Sequence, residues 1–317
     1  MRISYVMNLW KEYKTSDPDV RRLIRRRTWT QIKEAVMTKF FLTCATASIL
    51  ALLLIFLFLF INGIPGIAEI GLVRFITGMY WRPEDIPQSF GILPMIVTSI
   101  FITIGAIVIG VPIGIFTAVF MAHMCPKWLY VILKPAVNLL AGIPSVVYGF
   151  FGMVVIVPFI REMSIYFTGG GSGSSILSAM ILLGIMILPT IINISESAIR
   201  AVPDTYYQGA LALGTSHIRS VYVVIVPAAS SGIFASVILG IGRAIGETMA
   251  VVMVAGNQAR IPNSLFQGAR SLTANIVLEM GYATDLHRQA LIATGIVLLL
   301  FILIINLVFT LVTRKRK

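Results

Sequence analysis

Cysteine, histidine and charge are the scarce components of this 317-residue chain, which holds 2 Cys, 3 His and a charged fraction of 12%. Cys44 lies inside one long apolar run and Cys125 near the end of another, so a disulfide framework is excluded and a metal site lacks ligands. The histidines are scattered and no H-E-x-x-H occurs, which removes a zinc hydrolase. No G-x-x-x-x-G-K-S/T is present, so the chain has no P-loop with which to hold ATP. An embedded enzyme ranks last, because no nucleophile and base stand at a recognisable spacing.

What fills the chain instead is apolar: 57% hydrophobic residues and a mean hydropathy of +0.91 exceed what an ordinary soluble domain carries. A helix needs about 20 mostly apolar residues to cross the hydrocarbon core. Six runs qualify, at 40–61, 92–121, 135–158, 175–195, 227–255 and 290–313. The net charge of +12 is unevenly placed. On one side of the proposed spans lie 18 Lys and Arg, against 6 on the other (Arg74, Arg82, Arg161, Arg260, Arg270 and Arg288), with Arg243 inside a span. By the positive-inside rule both termini are cytoplasmic. Residues 1–39 then form a basic N-terminal segment, whose block RRLIRRR (21–27) is an anchor at anionic lipid rather than a nucleic-acid contact, and the RKRK tail reads likewise. The first apolar run begins far behind any signal-peptide n-region and lacks an A-x-A site, so it is expected to stay as an anchor.

The outer segment 62–91, with Trp81, Pro83, Glu84, Asp85 and Pro87, is expected to be a short capping loop. GGGSGSS (169–175) is a tether without a phosphate-cradle signal. In KPAVNLLAGIPSVVYGFFG (134–152), Pro144 and three glycines interrupt a span, as either a path-lining hinge or a site of close packing. The loop 201–227 predicts helix, turn, helix. Pro203 and Asp204 open the first helix, Gly214 stops it, Thr215 or Ser216 caps the second, and Pro227 begins the next span. With Arg219 as its single cation it is a protein-docking element, not a DNA reader.

This loop resembles the signature of permeases of ATP-binding-cassette importers, E-A-A, three residues, G, nine residues, I-x-L-P. It stands here as Gln208, Gly209, Ala210, then Gly214, then Val224, Val226 and Pro227, with Gln at the acidic position and Val for Ile and Leu. FITGMYWRPEDIPQSFGILPMI (75–96), AGIPSVVYGFFG (141–152) and GIGRAIGETMAV (240–251) are similar to the phosphate-specific permeases, the first favouring the C-type (PstC-type) subunit. The resemblance implies an all-α integral membrane protein of six transmembrane helices, with MetI-like permease architecture over 40–317 and a cytoplasmic coupling helix. It also implies inorganic phosphate as substrate, ATP hydrolysed by two PstB-type ATPases, a homologous PstA-type permease, a PstS-type binding protein, lipid surroundings in a prokaryotic inner membrane, no cofactor and no nucleic acid. The alternatives are a permease for sulfate, molybdate or another oxyanion, or a channel or secondary transporter.

An ionised group at bilayer mid-depth costs roughly 3 kcal/mol or more, so Arg243 and Glu247 require a reason. If 227–255 is one helix they share a face, about 40° apart. Their base-before-acid order is the poorer one for helix stability. The family carries an Arg and a Glu on the corresponding span, and a guanidinium fork suits two phosphate oxygens without losing its charge. Arg243 is the expected translocation residue; Glu247 would neutralise it between anions and accept from a protonated phosphate oxygen. A structural helix-locking pair is the competing reading. Gly242 and Gly246 form a GxxxG, and Gly232, Ser236 and Gly240 a small-residue stripe, suggesting tight packing beside the path. Asn138, Ser145, Tyr148 and Asn193 are weaker path-lining candidates.

Overall fold

A computed structural model of the chain describes residues 18–314; residues 1–17, the side chains of the basic block 21–27 and the tail beyond 314 lie outside the described residues. The chain divides into two units, 1–58 and 59–317. In the first, the described part is the start of helix α1 (Pro18–Ile70), and among the described side chains of 30–58 none is buried. Phe40, Phe41, Leu50 and Ile55 are all more than half exposed, as befits a helix whose solvent is lipid.

Among its described residues the second unit is mainly helical, with one small hairpin and, in the irregular segment 255–271, an isolated bridge between Gly256 and Ala269. α1 ends at Ile70, and α2 (Leu72–Thr77) leads into β1 (Trp81–Arg82) and β2 (Ser89–Phe90), paired Trp81 to Phe90 and Arg82 to Ser89. The expected capping loop at 62–91 is thus partly helix and partly hairpin, with Pro83 and Pro87 confined to the hairpin's turn, where no ladder bond is demanded of them. α3 (Leu93–Val119) comes next, then α4 (Lys127–Gly142), α5 (Ser145–Phe151), α6 (Val157–Thr168) and α7 (Ile176–Arg200). They are succeeded by α8 (Asp204–Ala212), α9 (His217–Ser220), α10 (Val226–Ala228), α11 (Ser230–Gly246) and α12 (Met249–Val254). α13 (Leu272–Glu279) and α14 (Asp285–Arg314) complete the order. Five-residue π-helical turns extend α3 over 120–124, join α5 to α6 over 152–156 and join α9 to α10 over 221–225.

Among the described residues five helices are long and apolar enough to span a membrane, and a sixth span arises if the pair 217–228 and 230–246, bent by 69°, is counted as one. Two expected spans differ from the observed helices. The run 135–158 is cut at Ile143 and Pro144, both extended (ψ 127° and 143°), and the spanning helix is Ser145–Phe167. Proline has no N–H to continue the ladder and forces its predecessor out of the α region. The run 227–255 stops at Gly246, because Glu247 is extended (ψ 126°).

α7 is the central element. It packs between α3 and α11, burying Leu182, Leu183, Met186, Ile187 and Ile191 in one continuous core with Ala244, Val251 and Val254. Small residues set the approach: a Cβ on Gly232 would lie 2.3 Å from Ala198, one on Gly240 3.1 Å from Ile191, and Ser236 Oγ meets Ser195 Oγ at 2.7 Å. Tight packing therefore belongs to the 232/236/240 stripe. Nothing lies within 4 Å of a Cβ placed on Gly242 or Gly246, so the GxxxG face has no neighbour among the described residues. Gly149 and Gly152 press against Met253 and Val254 of α12, so the interrupted third span is both broken and closely packed.

Candidate functional site

α11 ends inside the apolar body of the chain, and that ending organises the charged residues. Arg243 stands in the last turn of α11, half-buried, and its Nη1 donates to Thr190 Oγ1 of α7 at 3.2 Å. Glu247 is the residue that closes the helix, and its Oε1 accepts from the backbone N–H groups of Thr248 (3.2 Å) and Ala250 (3.3 Å) at the start of α12. No ion pair joins the two among the described residues. The shared helical face expected of them does not exist, because the helix terminates between them. Each charge is instead matched to a helix end. The cation sits where α11 exposes unpaired carbonyls and the carboxylate where α12 exposes unpaired N–H groups, positions that favour those signs by roughly 0.3–1 kcal/mol each or more when partly buried. The helix end thus offsets part of the cost of placing Arg243 there, and among the described residues no carboxylate pairs with it.

Behind Glu247 a cavity of about 10 Å³, roughly the room of one water, is lined by Ser99, Thr103, Glu247, Ser271 and Thr273 on its polar side and by as many apolar residues, Leu183 and Val251 among them. Thr273 Oγ1 donates to the Glu247 carbonyl at 3.2 Å, tying the break to α13.

The weaker candidates divide between the break in the third span and the face of α7 that carries Thr190. Asn138 is exposed on α4, and Ser145 is half-buried at the start of α5. Tyr148 is buried and donates its hydroxyl to the Leu140 carbonyl at 2.8 Å, which clamps the two sides of the Ile143–Pro144 break. Asn193 accepts from Lys134 Nζ at 2.9 Å.

That last contact opens onto a cluster that sequence reasoning missed. Glu196, buried on α7, takes Lys134 Nζ at 2.7 Å on Oε2, and on Oε1 Tyr130 OH at 2.8 Å and Arg200 Nε at 2.8 Å. Arg200 also donates to the Met121 carbonyl at 2.7 Å and lies 4.7 Å over the Tyr130 ring. The signal was an acid in an apolar helix, the same that marks Glu247. The expected span closed at residue 195, so Glu196 counted as loop.

A second missed cluster lies near the hairpin. Glu279, at the end of α13, accepts Trp81 Nε1 at 2.7 Å, lies 2.8 Å from His287 Nε2 and is ion-paired to Arg270, which also bonds Asn275 Oδ1 and the Asn257 carbonyl. Trp81, Glu279 and His287 are all buried.

The loop between α7 and α11 is helix, turn, helix. α8 carries Gln208, Gly209 and Ala210, of which Ala210 is buried and the other two exposed. Gly214 takes φ 82°, a left-handed conformation open to glycine at little cost, and Ser216, rather than Thr215, caps α9 by accepting from Arg219 N. Thr215 instead donates to the Ala210 carbonyl at 2.7 Å. Leu213 at the turn is 87% exposed, and Tyr206 on α8 and Ile218 on α9 are also exposed, so this loop presents large apolar side chains outward. Pro227 is exposed in the short α10, ahead of the 69° bend.

Comparison with known proteins bears on the family and the fold. The family described as "Binding-protein-dependent transport system inner membrane component" matches residues 110–317. The probable ABC transporter permease protein YqgH of Bacillus subtilis is 38% identical over 93% of this chain and 96% of its own. The phosphate transport system permease protein PstC of Mesorhizobium japonicum is 34% identical over 82% and 84%, and that of Haemophilus influenzae 35% over 72% and 76%. In fold, the chain resembles a chain of the MetNI methionine ABC transporter in inward-facing conformations, with a TM-score of 0.54 at 18% identity over 71% of this chain and 94% of that one.

Proposed function

The chain belongs to the family of inner-membrane components of binding-protein-dependent transport systems, and from that premise we propose that it is the C-type subunit that passes inorganic phosphate through an ATP-driven importer. It is a multi-pass ABC permease of MetI-type fold and lacks an ATPase domain, so hydrolysis falls to other subunits. In the proposed assembly it pairs with a homologous PstA-type permease, two PstB-type ATPases and a PstS-type phosphate-binding protein on the outer side, with both termini cytoplasmic. The identity to phosphate permeases of two bacteria supports phosphate over other oxyanions.

The observation that carries the reading is Arg243: a half-buried guanidinium at a helix end, bonded to a hydroxyl and, among the described residues, to no carboxylate. Such a fork offers fixed donors to a tetrahedral oxyanion without first having to break an ion pair. Glu247 holds the start of α12 by its Oε1, and in this reading a protonated phosphate oxygen donates to its carboxylate. The path would run beside α11, α7 and the broken third span, with Asn138, Ser145, Tyr148 and Asn193 as its candidate walls.

The coupling element is α8 and its turn. Gln208, Gly209, Ala210, Gly214 and Pro227 would seat an ATPase against the exposed Leu213 edge. A β-branched residue at φ 82° costs roughly 1–3 kcal/mol. Gly214→Val is therefore expected to weaken the turn, cut ATP-driven uptake by about tenfold or more, and lower recovery of the ATPase in pull-downs of the complex.

The direct test is uptake by proteoliposomes holding the four-part complex. Labelled phosphate should enter only with ATP and binding protein present, and excess sulfate or molybdate should not compete. Entry without ATP would point to a channel or secondary carrier, and equal competition by sulfate to a broader oxyanion permease.

A further inference from the structure

Arg243 meets α7 at Thr190. Three residues on, Asn193 lies on the same face, about 4.5 Å further along the axis toward the coupling loop, and Ser197 continues the row one turn later. Thr190 and Asn193 are half-buried and Ser197 is exposed, while Ile191, Ile192, Ser195 and Glu196 are buried, so this polar face opens progressively toward the coupling end. At Asn193 a second cation arrives, Lys134 Nζ at 2.9 Å.

The charges around Lys134 do not cancel. One carboxylate, Glu196, serves two cations, Lys134 and Arg200, which leaves one positive charge in excess. Their placement is also asymmetric. The Glu196 side chain is 2% exposed, against 28% for Lys134 and 44% for Arg200, so an anion approaching this face meets ammonium and guanidinium with the acid behind them.

We propose that Lys134, presented at Asn193 one turn beyond the Arg243–Thr190 contact, is a second cationic station for the anion in transit, with Arg200 beside it and Glu196 fixing both. This deepens the phosphate-path reading and rests on it. A transit route must bind without trapping, and two cations whose contacts on α7, Thr190 and Asn193, lie about a turn apart allow hand-over while the buried carboxylate limits how tightly the second one holds. The chemistry is that of a multiply charged oxyanion, which an ammonium attracts as a point charge, unlike the forked recognition at Arg243. The competing role for the same residues is a purely structural lock of α4 and the end of α3 onto α7.

Asn193→Asp separates the two roles. The substitution is nearly isosteric and places a carboxylate against Lys134, which strengthens a lock but neutralises a station. In the reconstituted complex with its binding protein, Asn193→Asp and Lys134→Gln are each expected to lower the maximal phosphate uptake rate about tenfold with the half-saturating concentration within about twofold of wild type. The loss should be greater in alkaline than in acidic buffer, where phosphate carries less charge, and Lys134→Arg should recover most of the rate. Wild-type uptake by Asn193→Asp overturns the station and leaves the lock, as does a loss in Lys134→Gln that is equal in both buffers and not recovered by Lys134→Arg. Arg243→Gln runs in parallel: if it transports normally, the path reading falls and the station with it, whereas loss in Arg243→Gln alone removes only the station.

Discussion

Phosphate uptake by the reconstituted complex is expected to fall by about a hundredfold when Arg243 is replaced by Gln, while the complex still assembles and its ATPase still turns over. The magnitude comes from what the guanidinium offers: a charge-assisted hydrogen bond is worth roughly 1.5–3 kcal/mol, and loss of a two-pronged contact removes about 3 kcal/mol or more. At about 1.4 kcal/mol per factor of ten, that is two decades in rate. Gln keeps the aliphatic stem and an amide donor but ends two bonds short of Nη1, so the bond to Thr190 goes with the fork, and continued assembly of the complex is the check that the fold is unaffected. Arg243→Lys keeps the charge without the fork and should fall between the two. A normal rate in Arg243→Gln would remove the phosphate path from this helix.

Glu279→Ala should produce the largest loss of stability. Glu279 is buried and joins Trp81 of the hairpin, Arg270 of the loop before α13 and His287 of α14. Removing it leaves the Arg270 guanidinium, 17% exposed, without its acid, and orphans the Trp81 N–H. Truncating one partner of such a pair costs roughly 3–5 kcal/mol. For a unit of this size that corresponds to a fall in Tm of about 10 °C. Thermal unfolding in detergent, monitored through tryptophan emission, would measure it. Glu279→Gln keeps an acceptor for Trp81 and should lose less. If Glu279→Ala unfolds within a degree or so of wild type, the cluster does not hold the hairpin to α13 and α14.

What could be read from the sequence was what local chemistry writes. Pro203, Gly214 and Ser216 punctuate the coupling element within a short stretch, and hydrogen bonding inside it gives the turn its form. Arg243 and Glu247 stood out because ions are rare in apolar runs. Their relation did not, since the interruption at Glu247 has no proline to announce it, and a tertiary tie from Thr273 sits on the very carbonyl of that residue. The hydrophobic run through 227–255 reads the same whether one helix or two carry it. The Glu279 cluster was invisible for a different reason: Trp81 and Glu279 are 198 residues apart, and no periodicity links them. Gly242 and Gly246 have the spacing of a packing motif, yet the helix turns the other stripe, 232/236/240, toward α7 because Ala198, Ser195 and Ile191 lie there to receive it.

The 69° bend between 217–228 and 230–246 has a mechanical corollary. A thrust directed along the lower limb of so sharp an elbow reaches the upper limb mainly as a sideways load. An ATPase pressing on the docking turn would then swing α11 across its neighbours instead of lifting it, and since the guanidinium rides at the far tip of that limb, a small swivel at the joint becomes its widest sweep.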